Sequence, residues 1–283
     1  LGAGAPDAFE SEARLEAFAA AAVLQGALFD VVRTRAGAWS RVESHWLVPS
    51  AVAVAATTRL PHTAWAHSGD VAWLERMPLG RDVARFVARV VEEIVFVSDD
   101  LRGRFLRLVG EVGSTVHTRV QALEPPASFV PRAHAPRSGR PCVVGVGRLV
   151  PIKGFDVLVL AVARSSRSLR PRLVLVGDGP ERARLERLAR AAEVDLQITG
   201  MVPRAEVARR LAAADLCVVP SRTRGTRTEG TPLVAREALA LGTPLIVSAT
   251  GGLPALARAQ RATVSLVPPG DPVALADALA RAL

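Results

Sequence analysis

From Cys142 onward the chain alternates short apolar runs with helical stretches of about 10–15 residues, and that alternation leaves few folds open. The spacing predicts strands at Cys142–Gly147, Leu173–Gly177, Leu196–Thr199, Leu216–Val219, Pro244–Ser248 and Thr263–Val267. Helices are expected between them, among them Phe155–Arg167, Glu181–Glu193, Arg204–Ala214 and Pro272–Leu283. Strands joined through helices form βαβ units, so the second half reads as an α/β fold on a parallel sheet.

The segment Pro220 to Gly242 carries the densest chemistry. A loop rich in Ser, Thr, Arg and Gly leads into Glu229-Gly-Thr-Pro-Leu-Val-Ala-Arg-Glu237. Thr231 is a plausible N-cap, Pro232 suits the first helical position, and Gly242 suits the C-terminal end. Residues 230, 233, 234 and 237 share one helical face, and helical side chains lean toward the N-terminus, so Glu237 points back toward the loop that carries Glu229. The surrounding residues are almost all apolar, so Glu237 is expected to be buried and to need a partner. Two partners fit. One is an arginine from elsewhere in a structural ion pair; the other is a polar ligand at the helix N-terminus, where free N–H groups favour an anion such as phosphate.

The loops after the first two strands of this half are Gly145-Val-Gly-Arg-Leu-Val-Pro-Ile-Lys-Gly154 and Gly177-Asp-Gly-Pro180. Their spacing matches neither the dinucleotide fingerprint nor the P-loop. However, Lys153 is the only lysine in the chain, and it shares the first loop with Arg148. A compact ammonium and a forked guanidinium after a strand suit a diphosphate; two solvated surface cations are the alternative.

The first half is less regular. A helix is expected over residues 8–35, followed by His45-Trp-Leu-Val-Pro-Ser50 and an Ala/Val-rich helix to about Arg59. Pro61 to Ala66 reads as a strand ending in His67-Ser-Gly-Asp70, where open α/β sheets hold ligands. His67 is a candidate site residue or a turn histidine bonded to backbone. Asp70 could cap a helix starting at Val71. A strand at Ile94–Val97 with a capped helix from Ser98, and a further strand within Thr115 to Leu123, complete this half. The proline-rich, aperiodic stretch that follows marks a linker. The organisation expected is therefore 1–124, a linker at 125–139, and 140–283.

Formal net charge is +9, but of 36 basic residues all except Lys153 are arginine, and aromatics are only 4% of the chain. Arginines scattered over helices without interleaved aromatics argue against a nucleic-acid partner. Peripheral contact with an anionic membrane face fits better. Cys142 and Cys217 sit in apolar strand-like runs without metal spacing and read as reduced thiols. Glu10, Glu12 and Glu16 occupy the place of a basic leader, and the apolar run Ala17 to Val32 is broken by Gln25, Gly26 and Asp30. A cytoplasmic protein, at most peripheral on the inner membrane face, is expected.

Four motifs in order, Gly147-Arg-Leu…Lys153-Gly154, Gly177-Asp-Gly-Pro180, Glu229…Glu237 and Gly251-Gly-Leu-Pro254, resemble the family 4 glycosyltransferases. These are retaining, nucleotide-sugar-dependent enzymes of the GT-B fold, with two Rossmann-like domains. The first half resembles them more loosely, through His45-Trp-Leu-Val-Pro-Ser50, His67-Ser-Gly-Asp70 and Val97-Ser98. The resemblance implies that Arg148 and Lys153, with Gly147, hold the diphosphate of a UDP- or GDP-linked donor. It implies Glu237 on the ribose hydroxyls, Glu229 on the donor sugar, and the backbone of Gly230, Thr231, Pro232 and Leu233 around sugar and phosphates. His67 would face the sugar from the first domain as a second catalytic residue, with His45 and Asp70 toward the acceptor. No cofactor or metal is implied, and no Asp-x-Asp metal motif is present. The reaction would carry a sugar to a hydroxyl acceptor (lipid, glycan or small molecule) with retention. The family's opening strand with its glycine-rich loop and its closing crossover helices are not found, so the first domain is expected to be incomplete. The alternative is a nucleotide-sugar-binding remnant or partner subunit without turnover.

Overall fold

The computed structural model describes residues 14–125, 129, 139–166, 170–225, 229 and 232–283. Most of the expected linker, the start of the helix expected from residue 8, and Gly230 and Thr231 lie outside them. The chain divides into two compact units, Leu1–Ala122 and Leu123–Leu283.

In the first unit, α1 (Arg14–Arg35) precedes β1 (Val42–His45), α2 (Val52–Thr57), β2 (His62–Ala66), α3 (Ser68–Leu74) and α4 (Gly80–Val90). Then come β3 (Glu93–Phe96), α5 (Asp99–Val109) and β4 (His117–Val120). The sheet is parallel in the order β1-β2-β3-β4. Ser98 caps α5 as expected, its hydroxyl accepting from Leu101 N at 3.4 Å. Three features differ from expectation. β1 pairs Val42 with His62 and places His45 at a strand end, although Val-Glu-Ser-His lacks an apolar run. α2 ends at Thr57, short of Arg59. α3 starts at Ser68 with His67 at its N-cap position, so Asp70 lies in the first turn and does not cap it. Its carboxylate is drawn inward: fully buried, it accepts from Leu47 N at 2.7 Å and Val71 N at 2.8 Å.

In the second unit β5 (Cys142–Val146), α6 (Phe155–Arg164), β6 (Arg172–Val176), α7 (Arg182–Ala191) and β7 (Leu196–Ile198) form one half. The other half is α8 (Arg204–Ala213), β8 (Leu216–Val219), α9 (Leu233–Ala240), β9 (Leu245–Ser248), α10 (Leu253–Ala259), β10 (Val264–Val267) and α11 (Pro272–Ala282). All six strands are parallel in the order β10-β9-β8-β5-β6-β7. β8 and β9 are buried at every residue, as strands covered on both faces must be.

Strand alternation builds the core on both sides of this sheet. Val143, Leu173, Leu175, Leu216, Val218 and Ile246 pack with α6, α7 and α11 through Leu158, Leu185 and Leu279. Their neighbours Val144, Val174, Val176, Cys217, Val219 and Val247 face α8, α9 and α10 through Leu211, Ala238 and Leu253. The order reverses between β5 and β8. There the loops leaving two adjacent strands run in opposite directions and open a crevice at their carboxyl ends.

Candidate functional site

The two loops that border this crevice carry Lys153 and Glu229. After β5 the chain passes Gly147 and Arg148 into a short 3-10 turn, Pro151–Lys153, which Gly154 ends in a left-handed conformation (φ +66°). A Cβ on Gly154 would lie 2.0 Å from the Pro220 carbonyl oxygen, so only glycine lets this turn lie against the end of β8. Gly177, after β6, approaches equally closely: a Cβ there would lie 2.1 Å from the Gly147 carbonyl oxygen. The Gly-Asp-Gly-Pro loop therefore buttresses the Lys153 loop by backbone contact. Leu149 N donates to Asp178 O at 2.9 Å and Glu181 N to Leu149 O at 3.0 Å.

The side chain of Lys153 runs across Gly147, where an added Cβ would stand 3.1 Å from Cε. Its Nζ forms an ion pair with Glu229 Oε1, and both side chains are more than four-fifths shielded. Glu229 Oε2 accepts from the hydroxyl of Ser221, which is wholly buried. Arg148 lies half-buried on the same loop. The structure thus brings Lys153 and Glu229 together, with Gly147 beneath the lysine.

Glu237 is 1% exposed on α9, as the apolar helix predicts, and an arginine from elsewhere meets it: Arg204 Nη2 at the start of α8 donates to its Oε1. Burial raises the Glu237 pKa and the Arg204 charge opposes the rise. The guanidinium also lies 5.5 Å over the Phe129 ring, a cation–π contact. Of the two partners open for Glu237, the ion pair is present. Pro232, expected at the first helical position, is the N-cap residue, with α9 beginning at Leu233. Gly242 follows the helix with φ +76°, as expected. Gly230 and Thr231 lie outside the described residues.

In the first unit His67 Nε2 and His45 Nδ1 stand 3.2 Å apart, and His45 stacks on Trp65 with centroids 5.4 Å apart. Burial, then the neighbouring His45, lowers His67 to about 4. Asp70 is pushed up to about 7 by burial despite its backbone hydrogen bonds. His67 is thus a half-buried, neutral ring bonded to a second histidine, not a turn residue tied to backbone.

Sequence reasoning missed three residues that organise the second unit's site. Ser221 and Arg222 lay inside a loop noted only for its composition, and Arg204 at the start of a helix noted only for its place between strands. Among the described residues no group of three or more His, Cys, Asp or Glu could hold a metal ion, and no helix is long and apolar enough to cross a membrane.

Two units, each built on a parallel α/β sheet, are the architecture of the GT-B fold. Residues 140–283 match the family described as Glycosyl transferases group 1. A GDP-mannose-dependent alpha-(1-6)-phosphatidylinositol monomannoside mannosyltransferase of Mycobacterium tuberculosis is 32% identical over 273 residues, covering 88% of this chain and 70% of that protein. A D-inositol 3-phosphate glycosyltransferase of a Nocardioides species is 39% identical over 153 residues, covering 48% of this chain and 32% of its own. The solved sucrose-phosphate synthase of Thermosynechococcus elongatus superposes with a TM-score of 0.73 at 26% identity, covering 89% of this chain and 66% of that one. The chain belongs to the group 1 glycosyltransferases and is a glycosyltransferase.

Proposed function

We propose that the second unit binds a nucleoside-diphosphate sugar at the switch-point crevice and that the chain transfers the sugar, with retention, to a hydroxyl acceptor. The observation that carries this is the meeting of Lys153, the chain's only lysine, with Glu229 across the β5 and β8 loops. An ammonium has three N–H donors, so Lys153 can keep one on Glu229 while others bind diphosphate oxygens. Arg148 on the same loop adds a second cation. Negative charge grows on the diphosphate as the glycosidic bond breaks, and cations fixed before the reaction lower that barrier. Glu229, oriented by Ser221 and Lys153, accepts hydrogen bonds from the donor sugar's hydroxyls. Glu237 accepts from the ribose, with the Arg204 charge opposing the rise that burial causes, and the backbone of Pro232 and Leu233 borders the sugar and phosphates. For the first unit the family resemblance assigns His67 to the sugar and His45 to the acceptor, whereas Asp70, wholly buried on backbone N–H groups, is left a structural role.

The mannosyltransferase relative favours GDP-mannose as donor and a lipid-linked inositol glycan as acceptor, met by peripheral contact with a membrane. Glu229→Gln tests the assignment. It should abolish most turnover, measured as nucleotide release from GDP-mannose or UDP-glucose, while leaving nucleotide affinity within about threefold. Unchanged turnover would remove Glu229 from the mechanism.

A further inference from the structure

Lys153 sits on a short turn whose position is set from the other side of the crevice. Arg222, two residues beyond Pro220, makes three contacts to this turn and the helix behind it. Its backbone N–H donates to Ile152 O at 2.9 Å, its Nε to Pro151 O at 2.8 Å, and its Nη2 to Asp156 Oδ2 at 3.1 Å. Pro151 O is also the acceptor that closes the turn, taking Gly154 N at 3.3 Å. Asp156 lies in the first turn of α6, its side chain 12% exposed, with Arg184 of α7 3.4 Å away. Arg222 is itself three-quarters shielded, and its guanidinium is directed at the turn.

We infer that Arg222 is a positioning residue: clamped to Pro151 and Asp156, it holds the Lys153 turn at the height where the ammonium meets a diphosphate. Arg222 and its neighbour Ser221 then divide the work. Ser221 orients Glu229, and Arg222 orients the lysine with which Glu229 pairs. The assignment is physical. A planar guanidinium can satisfy a carbonyl and a carboxylate together, whereas an ammonium is a point charge without that fork. A loop held by two charge-assisted hydrogen bonds also loses less freedom when ligand binds, which favours affinity.

The inference rests on the proposed diphosphate role of Lys153, so its test separates the two. Guanosine and GDP, and uridine and UDP, are titrated calorimetrically into the chain and into Arg222→Met, Arg222→Lys, Asp156→Asn and Lys153→Ala. The quantity read is the gain in affinity that the diphosphate adds to the nucleoside. Arg222→Met and Asp156→Asn should each cut that gain about tenfold, the scale of one charge-assisted hydrogen bond. Nucleoside affinity should stay constant. Arg222→Lys should fall between wild type and Arg222→Met, and it serves if the methionine variant does not fold. Equal losses for nucleoside and diphosphate, or none, would overturn the inference. So would an unchanged or larger gain in Asp156→Asn beside a loss in Arg222→Met, because Arg222 would then be touching phosphate itself. Amide hydrogen exchange at Lys153 and Gly154 gives an arm independent of nucleotide: it should quicken at least tenfold in Arg222→Met, and unchanged protection would overturn the clamp. If wild type binds neither nucleotide, the proposed function fails and exchange alone decides the clamp.

Discussion

Gly154→Ala is a one-methyl probe of how the site is assembled. The new Cβ would stand 2.0 Å from the Pro220 carbonyl oxygen, whereas real Cβ contacts essentially never fall below 3.0 Å. The turn and the end of β8 must therefore separate by roughly 1 Å, the difference of these two distances. Backbone lies on both sides, so no flexible side chain can absorb it. Alanine at φ +66° adds the left-handed penalty of about 1–2 kcal/mol. For a unit of this size that lowers the melting temperature by at least about 2–8 °C, with contact strain in addition. The same displacement moves Lys153, the adjacent residue, relative to Glu229 on the opposing loop. Misplacement by about 1 Å can cost on the order of 100-fold in rate. The assays are a thermal melt and nucleotide release from donor, run at a temperature where the variant is folded. A melting temperature and turnover both equal to wild type would refute the close packing of these loops and the claim that it places the lysine.

Arg204→Ala should make nucleotide affinity depend on pH. Without the guanidinium, burial alone acts on Glu237 and raises it further, with Cys217 of β8 its other titratable neighbour, so affinity should fall as pH drops from 8 to 6 while wild type changes less. Parallel titrations at the two pH values check this, and identical pH dependence would refute it. Burial, then Glu237, pushes the Cys217 thiol up to about 12, so it should stay unreactive toward a thiol reagent at pH 8 until the chain unfolds. Labelling in the native state would contradict this. Burial lowers His62 and His67 from 6.5 to about 4, so between those values the unfolded chain binds more protons and stability falls with acidification. Buried Asp70, raised from 3.8 to about 7, keeps its proton when folded and contributes the opposite slope. Asp70→Asn should therefore steepen the acid loss of stability between pH 6.5 and 4, whatever its effect at pH 8; chemical denaturation across that range would show equal slopes if the assignment is wrong.

The parts legible in the sequence were those fixed by local pattern. Leu216–Val219 is a strand because four consecutive apolar residues can only be buried on both faces, and the structure bounds it at the same residues. Burial of Glu237 followed from the apolar helix around it. What stayed hidden depends on distant partners. Arg204 lies 33 residues from Glu237, and Arg222 lies 66 from Asp156, so no local spacing joins them. Val42–His45 was missed because its one buried residue is Ser44, bonded to the buried His62 at 2.8 Å, where an apolar residue would have announced a strand. Asp70 resembled a helix cap because a cap and a buried carboxylate bonded to backbone N–H groups use the same residue. Only the tertiary contact to Leu47 tells them apart.

The measurement that bears most directly on the central claim is calorimetric titration of GDP and UDP into the chain and into Lys153→Ala. Saturable binding of one nucleotide, weakened about 10- to 100-fold by the substitution, is the expected result, since hydrogen bonds to charged groups are worth about 1.5–3 kcal/mol. Binding that is equally tight in Lys153→Ala, or absent from the wild-type chain, would contradict a donor site built around this lysine.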